Sequence, residues 1–388
     1  MDFQHTSFPK KIVILGGGTG GLVAVNRLRK ALQKNTDIVL VDRDKNHLFN
    51  PSLLWLMVGL RSREKIQRPL SRLQRQGIRF INASVQRIDF DNKIVHTSEG
   101  SEPFDYLVIA LGASTFPEKI PGFSEAAYNL YDLTGAEQLK KAIENFNKRQ
   151  IVILISSPLF KCPAAPYEAA LLLASYFTKK HKYVDITIAT PETLPMGVSG
   201  PEAGNMMVFL LQGKGIHFKP QHQVFTIDPV KKEIVFHDHE ILSYDLLIGI
   251  PPHGLPPVLE GSPILAKDGW VKVNPKTLET DIENIYAIGD VTTIPLPLGK
   301  PLPKAGVFAH FQADVVASNI VSKIKGMPPT KEYEGMGYCI FEMGDGKAGC
   351  ARVNFYAAPK PSVNMKKPGR LWHWGKILFE KWWLWKWF

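Results

Sequence analysis

Residues 11–15, KIVIL, run straight into Gly16-Gly17-Gly18-Thr19-Gly20-Gly21, and this junction restricts the fold more than any other stretch. Glycines at 16, 18 and 21 satisfy G-x-G-x-x-G. The first permits a tight turn, the second lets the backbone approach a pyrophosphate, and the third lets the next helix pack on the strand. Residues 22–32 have helical periodicity. Residues 38–41 form a second apolar strand that ends at Asp42, 21 positions past Gly21, where an acid reaches a ribose 2′-hydroxyl. The glycines alone are weak. Strand, loop, helix, strand and acid in register predict a dinucleotide-binding β-α-β unit.

Two later segments narrow the nucleotide. Residues 105–114 read DYLVIALGAS, a strand entering a turn at Gly112. Residues 280–291 read TDIENIYAIGDV, a strand ending at Gly289-Asp290. Both resemble the secondary motifs of the pyridine nucleotide-disulfide oxidoreductase superfamily. The resemblance implies FAD, bound by Gly16, Gly18, Gly21, Asp42 and Gly112, with Asp290 on the ribityl chain. An ordinary helix-capping role is the alternative for Asp290.

With 388 residues and 45% apolar content, two or three domains with sizeable cores are expected. Strands alternate with helices, so the fold class is α/β. Proline-rich breaks suggest a discontinuous first domain at 1–115 and 265–330, a second nucleotide-type domain at 116–264, and a C-terminal module at 331–388. Three cysteines are too few for a disulfide scaffold. The N-terminus, MDFQHTSFPKK, has no apolar signal region, so a cytoplasmic-side location is expected.

The second domain departs from its template. Residues 151–156, IVILIS, read as a buried parallel strand. A glycine-rich loop for NAD(P)H belongs after it. The chain instead has Ser157-Pro158-Leu159-Phe160-Lys161-Cys162-Pro163-Ala164-Ala165-Pro166-Tyr167-Glu168. Without glycine no backbone approaches a phosphate closely. A thiol six residues before a carboxylate points to sulfur chemistry, with Lys161 expected to favour a reactive low-pKa thiolate. Glu168 suits a proton shuttle or, equally, a carboxylate in the first turn of a helix. His253, in Pro251-Pro252-His253, is a further candidate for proton handling. No metal site is expected.

Charge is concentrated at the end of the chain. Residues 366–388 hold six Lys/Arg against one Glu, and six of the eight tryptophans. Leu371, Trp374, Leu378, Trp382 and Trp385 share one helical face, opposite His373, Lys376 and Glu380. Indoles favour the headgroup region and lysines attract anionic lipid. With its internal charges, 369–388 reads as an interfacial anchor rather than a span. No nucleic-acid motif accompanies the basic residues, so nucleic acid is not an expected partner. On this reading, removing the residues after about 368 leaves the flavin site intact.

Residues 333–356 form a hairpin around Gly344-Asp345-Gly346-Lys347, with Cys339 and Cys350 on its strands. A turn centred on Asp345-Gly346 sets 341 opposite 350 and puts both thiols on one face. Cys350 reads as a buried bystander.

Together, the flavin motifs, the Cys162-Pro163 loop with Glu168, Cys339 in its hairpin and the Trp/Lys tail resemble a sulfide:quinone oxidoreductase. The resemblance implies two Rossmann-like three-layer domains of the disulfide-reductase flavoprotein type plus a C-terminal amphipathic membrane-binding region. It also implies a Cys162–Cys339 relay that oxidises hydrogen sulfide, FAD, and a membrane quinone as acceptor. Lys304 and Gly306 resemble the family's helix start at the flavin pyrimidine, with the lysine near the quinone side. Phe341, Phe379 and Trp382 are candidates to line the quinone site. Many members carry a third cysteine that residues 128–133 lack. A type II NADH:quinone oxidoreductase, a flavocytochrome-type sulfide dehydrogenase and a non-catalytic redox-sensing flavoprotein are the alternatives. A homo-oligomer is compatible with the sequence.

Overall fold

The structure is a computed structural model and describes residues 10–388. The expectation about a signal region falls largely on residues 1–9, outside those described.

Two five-stranded parallel sheets organise the chain. The first orders Ile285–Ala287, Tyr106–Ile109, Lys11–Leu15, Asp37–Asp42 and Arg79–Asn82. Its last contribution arrives from 285–287, so the chain returns to the first domain after building the second. The second sheet orders Tyr128–Asn129, Leu246–Ile250, Gln150–Ile155, Asp185–Ala189 and Ile216–Lys219.

Burial on both faces explains the unbroken apolar runs. Ile151, Ile153 and Ile155 face one core and Val152 and Leu154 another. On the first face lies the helix Ala165–Lys179. On the second lies a three-stranded antiparallel meander that contributes Val224, Ile227, Ile234 and Phe236. The first sheet repeats this plan, with the helix Thr19–Ala31 packed against Gly306–Ile324 and a meander contributing Ile88 and Val95. Helices, parallel sheet and meander make three layers, the α/β architecture expected from the alternation.

The C-terminal module is an antiparallel sheet of Met336–Glu342, Ala348–Asn354 and Ser362–Gly369, followed by the helix Arg370–Lys386. Its register corrects one expectation. Cys339 pairs with Ala351 and Ile340 with Cys350, so the two cysteines point to opposite faces. Glu342 opposes Ala348, and the hairpin closes with Met343 and Lys347 around Gly344, Asp345 and Gly346, all three at positive φ. A turn centred on Asp345-Gly346 is one residue out of this register, and such a slip moves a side chain to the other face relative to its partner strand. Tertiary contacts set the loop: Ser175 Oγ donates to Asp345 Oδ1 at 2.8 Å, and Asp345 N–H donates to Ser175 Oγ at 2.9 Å.

The terminal helix also differs from a free anchor. Lys376, Glu380, Trp383 and Leu384 are buried against the protein. The exposed residues include Leu371, Trp374, Leu378, Phe379, Trp382 and Trp385. The polar stripe therefore faces in and the apolar stripe faces out. Among the described residues, no helix is long and apolar enough to cross a membrane.

Candidate active site

The glycine loop has the shape its sequence requires. Gly16 has φ +100°, and a Cβ there would stand 2.4 Å from Ala110 O. A Cβ on Gly21 would stand 1.8 Å from Gly16 O, whereas at Gly18 nothing lies within 4 Å. The last value marks open space beside the helix N-terminus, suited to a phosphate. Asp42 accepts from Gly17 N–H and, at 2.7 Å, from Asp44 N–H. Gly112, with φ +72°, is equally open.

Asp290 lines a small cavity with Gly289, Thr292, Lys304, Ala305 and Gln312. Its Oδ1 is buried and has no partner. Burial raises its carboxyl pKa, offset in part by Lys304 and Lys161. An orphaned acceptor there fits the hydroxyls of a ribityl chain, and with the glycine loop the donor set fits FAD. Lys304 lies at the helix start beside this cavity. Its ammonium donates to Asp290 O at 2.7 Å and Thr292 O at 3.1 Å, over the Trp270 ring. It is turned into the 289–292 turn rather than outward, and burial lowers its pKa to about 8.

Cys162 sits in a turn that ends where the helix Ala165–Lys179 begins. Its φ is +52°, a conformation non-glycine residues adopt at a cost of about 1–2 kcal/mol. The turn is held at both ends: Cys162 N–H donates to Lys304 O, and Ala165 N–H donates to Cys162 O at 2.9 Å. Its surface is exposed, yet enclosing protein pushes the thiol pKa up to about 12, with Cys339 and Glu168 adding to the effect. The wall of a cleft can surround a thiol that a small molecule still reaches, so the exposure decides access. Cys339 is half-buried, and burial pushes its thiol up to about 11. The two cysteines thus come together electrostatically, while Cys350 lies buried on the other face of the hairpin.

These shifts overturn the expected low-pKa thiolate. The cation that works against burial at both thiols is Lys376, from the terminal helix, rather than the adjacent Lys161. Lys161 is itself desolvated, which lowers its pKa. Only thiolate alkylates. Iodoacetamide is therefore expected to modify Cys162 of the reduced protein slowly at pH ~8, with a rate that climbs toward pH ~12. A midpoint near that of free cysteine, read by peptide mass analysis, would contradict this environment.

Lys376 pairs with Glu168, and both are buried. Burial opposes the ammonium, but Glu168 outweighs it and the Lys376 pKa ends up raised. Burial likewise raises Glu168, with Lys376 offsetting part of the effect. The carboxylate also accepts from the Glu342 backbone N–H. Glu342 in turn meets His373 Nδ1 at 2.9 Å. Glu168 is thus a first-turn carboxylate and a member of a charged cluster beside both thiols. Sequence reasoning placed His373 and Lys376 opposite the apolar face of the terminal helix without a partner, and missed Glu342. The signal available was the i, i+3, i+7 spacing of His373, Lys376 and Glu380, which marks one face without saying which way it points.

His253 is not set up as a proton carrier. Its Nδ1 lies 2.9 Å from Pro251 O, its Nε2 is buried without a partner, and burial beside Lys161 lowers its pKa to about 3. A ring held neutral accepts hydrogen bonds but does not cycle protons at neutral pH. Tyr131 stacks edge-on against it at 5.2 Å and donates to Cys162 O at 3.4 Å. Among the quinone candidates, Phe379 and Trp382 stack at 5.8 Å and are partly exposed. Phe341 lies in the second core, its ring over Gly349. His222, Asp238 and Glu240 bring donor atoms within 4.8 Å at the surface, where Lys219 and His222 already pair with Glu240.

Similar proteins fit this geometry. The mouse mitochondrial sulfide:quinone oxidoreductase is 25% identical over 90% of this chain and 79% of its own length. The crystal structure of the sulfide:quinone oxidoreductase from Aquifex aeolicus superposes with a TM-score of 0.88 at 27% identity, covering 97% of this chain and 91% of that one. A type II NADH:quinone oxidoreductase of Staphylococcus aureus is 28% identical over 84% of this chain and 85% of its own. The model of the pyridine nucleotide-disulphide oxidoreductase family matches residues 10–155 and 168–313, most of the chain on either side of the Cys162 loop. This chain belongs to that family.

Proposed function

We propose that the chain is an FAD-dependent sulfide:quinone oxidoreductase that works at a lipid surface. The observation that carries the proposal is the placement of Cys162 and Cys339 beside the buried Glu168–Lys376 pair, where a nicotinamide enzyme would present a phosphate loop. Gly16, Gly18, Gly21, Asp42, Gly112, Asp290 and Gly306 would hold the FAD, which supplies a two-electron acceptor for the thiol pair and a donor to quinone. Residues 1–115 with 265–330 form the flavin domain, 116–264 the second domain and 331–388 the module that closes the site.

Hydrosulfide attacks a sulfur bridge between Cys162 and Cys339. A new S–S bond forms to one cysteine, the old one breaks, and the other cysteine leaves as thiolate. Lys376 stabilises that thiolate, since its charge lowers the pKa of both. Glu168 gives up or takes the proton that Lys376 and the thiols exchange. His253 and Tyr131 shape the approach to Cys162. Phe379 and Trp382, on the outward face beside the bilayer, line the path of an apolar quinone. Its exposed indoles dock the helix on anionic lipid.

A type II NADH:quinone oxidoreductase is the second reading, favoured by the Staphylococcus relative. It conflicts with the helix start at 165. Ala165 N–H is used within the turn, and Glu168 places a carboxylate in the first turn, against a pyrophosphate. Anaerobic titration separates the two. Sulfide is expected to bleach the yellow protein, while NADH at sub-millimolar concentration bleaches it negligibly. Rapid bleaching by NADH alone would sink the sulfide reading.

A further inference from the structure

His47 is a buried titratable group outside the sulfur chemistry, 2% exposed in the short strand Asn46–Leu48. Its Nε2 accepts from the Trp383 indole N–H at 3.0 Å. That bond leaves the ring proton on Nδ1, which donates to Gly17 O at 2.8 Å. Burial lowers its pKa to about 4, so the ring stays neutral and keeps this tautomer. Gly17 is thereby gripped at both polar atoms, because its N–H is held by Asp42. A trans peptide sets C=O and the next N–H on opposite sides. Pulling Gly17 O toward His47 turns the Gly18 N–H the other way, at the residue beside which nothing lies within 4 Å.

Trp383 belongs to the terminal helix. Its ring packs on His47, Phe49, His310 and Trp387, with centroids 5.5–6.2 Å apart. Phe379, one turn before it, and the adjacent Trp382 are partly exposed. A hydrogen-bonded path of two links therefore joins a helix with an exposed apolar face to the glycine loop.

We propose that Trp383 is a positioning residue for the phosphate loop: through His47 it fixes the Gly17–Gly18 peptide in the orientation that receives the FAD pyrophosphate, so docking of the terminal helix and retention of the flavin are coupled. This rests on the reading of the glycine loop as an FAD site. Coupling of this kind is reciprocal. Bound FAD favours the docked helix, and a displaced helix weakens FAD.

The test uses full-length protein, stripped of flavin and titrated with FAD by fluorescence quenching. Trp383→Phe removes the donor and keeps an aromatic ring. It is expected to weaken FAD about 5-fold, the scale of one net hydrogen bond. Trp387→Phe is the control, since it trims a buried indole whose N–H has no partner. It should lower the melting temperature comparably and leave FAD affinity unchanged. His47→Phe should weaken FAD at least as much as Trp383→Phe. His47→Gln, whose amide offers one acceptor and one donor, should recover most of the affinity. FAD should also slow tryptic cleavage at the exposed Lys381 in the parent protein and lose that effect in Trp383→Phe. Equal FAD affinity in Trp383→Phe and Trp387→Phe would overturn the proposal, as would a Gln variant no better than Phe. Failure of the parent protein to take up FAD at all would instead overturn the flavin reading beneath it.

Discussion

Cys162→Ser and Cys339→Ser are each expected to cut sulfide-driven bleaching of the flavin by at least about a thousandfold, roughly 4 kcal/mol of transition-state stabilisation. A hydroxyl cannot form or exchange the sulfur bridge, so no partial relay survives. Flavin should stay bound in both variants. The Cys162 tether to Lys304 is a backbone hydrogen bond, which serine keeps. Serine meets the positive φ at 162 at similar cost, so the turn is not further strained. Cys339 lies on a strand remote from the glycine loop in sequence and absent from the cavity beside Asp290. Stopped-flow absorbance with sulfide measures the loss, and the flavin-to-protein ratio checks retention. Cys350→Ser should keep most activity, because the register turns that thiol to the opposite face. Sulfide reduction at parental rate in either the 162 or 339 variant would end the relay model.

The parts of this molecule that were legible in the sequence are those set by local pattern. The β-α-β unit at 11–42 follows from apolar strands, glycines and Asp42 in one short window. IVILI at 151–155 could be read as a strand buried on both faces because β-branched residues fill both parities. Cys162 and Glu168 were nameable because a missing glycine loop is itself a local signal, whereas Cys339 was singled out by its hairpin and the family resemblance. What escaped was every feature decided by packing between distant segments. The register of the Cys339 hairpin depends on Ser175 holding Asp345, 170 positions along the chain. The thiol pKa values depend on enclosure by several elements, and no run of residues encodes it. The neutral state of His253 depends on burial and on the nearby charge of Lys161, which together outweigh the Pro251 carbonyl that favours protonation. The terminal helix is the sharpest case. Its two faces were assigned to the right residues and the apolar one to lipid, but amphipathic spacing does not say that the polar face packs on the protein. Only the partners waiting in the protein, Glu168, Glu342, Ser52, Arg61 and His47, turn the polar face in.

That packing of the polar face changes what deletion of the tail should do. Removing the residues after Pro368 takes away Lys376 and leaves Glu168 buried without its cation, which costs about 3–5 kcal/mol. It removes Glu380, the partner of Arg61 at 2.8 Å, and the buried side chains of Trp383, Leu384 and Trp387. Each of those apolar side chains contributes about 1.5–3 kcal/mol. The total rivals the 5–15 kcal/mol by which domains of this kind are stable. The truncated protein is therefore expected to misfold or to shed its flavin, rather than persist as a soluble enzyme with a working sulfide half-reaction. Lys376→Met, one substitution, should lower the melting temperature markedly and slow bleaching by sulfide, because it removes the cation shared by both thiols. The outward face can be altered without that cost. Trp374, Trp382 and Trp385 are 61%, 42% and 75% exposed, and changes at such positions usually stay within about 0.5 kcal/mol each. The triple change to serine should keep the fold, the flavin and sulfide bleaching, yet fail to float with vesicles containing anionic phospholipid and reduce bilayer quinone slowly. Thermal melts, flotation and the two half-reactions followed at the flavin band separate these expectations. A triple variant that still floats and reduces quinone normally would remove the apolar face from membrane docking, and a stable, flavin-loaded truncation would mean that the buried cluster does not hold the helix to the protein.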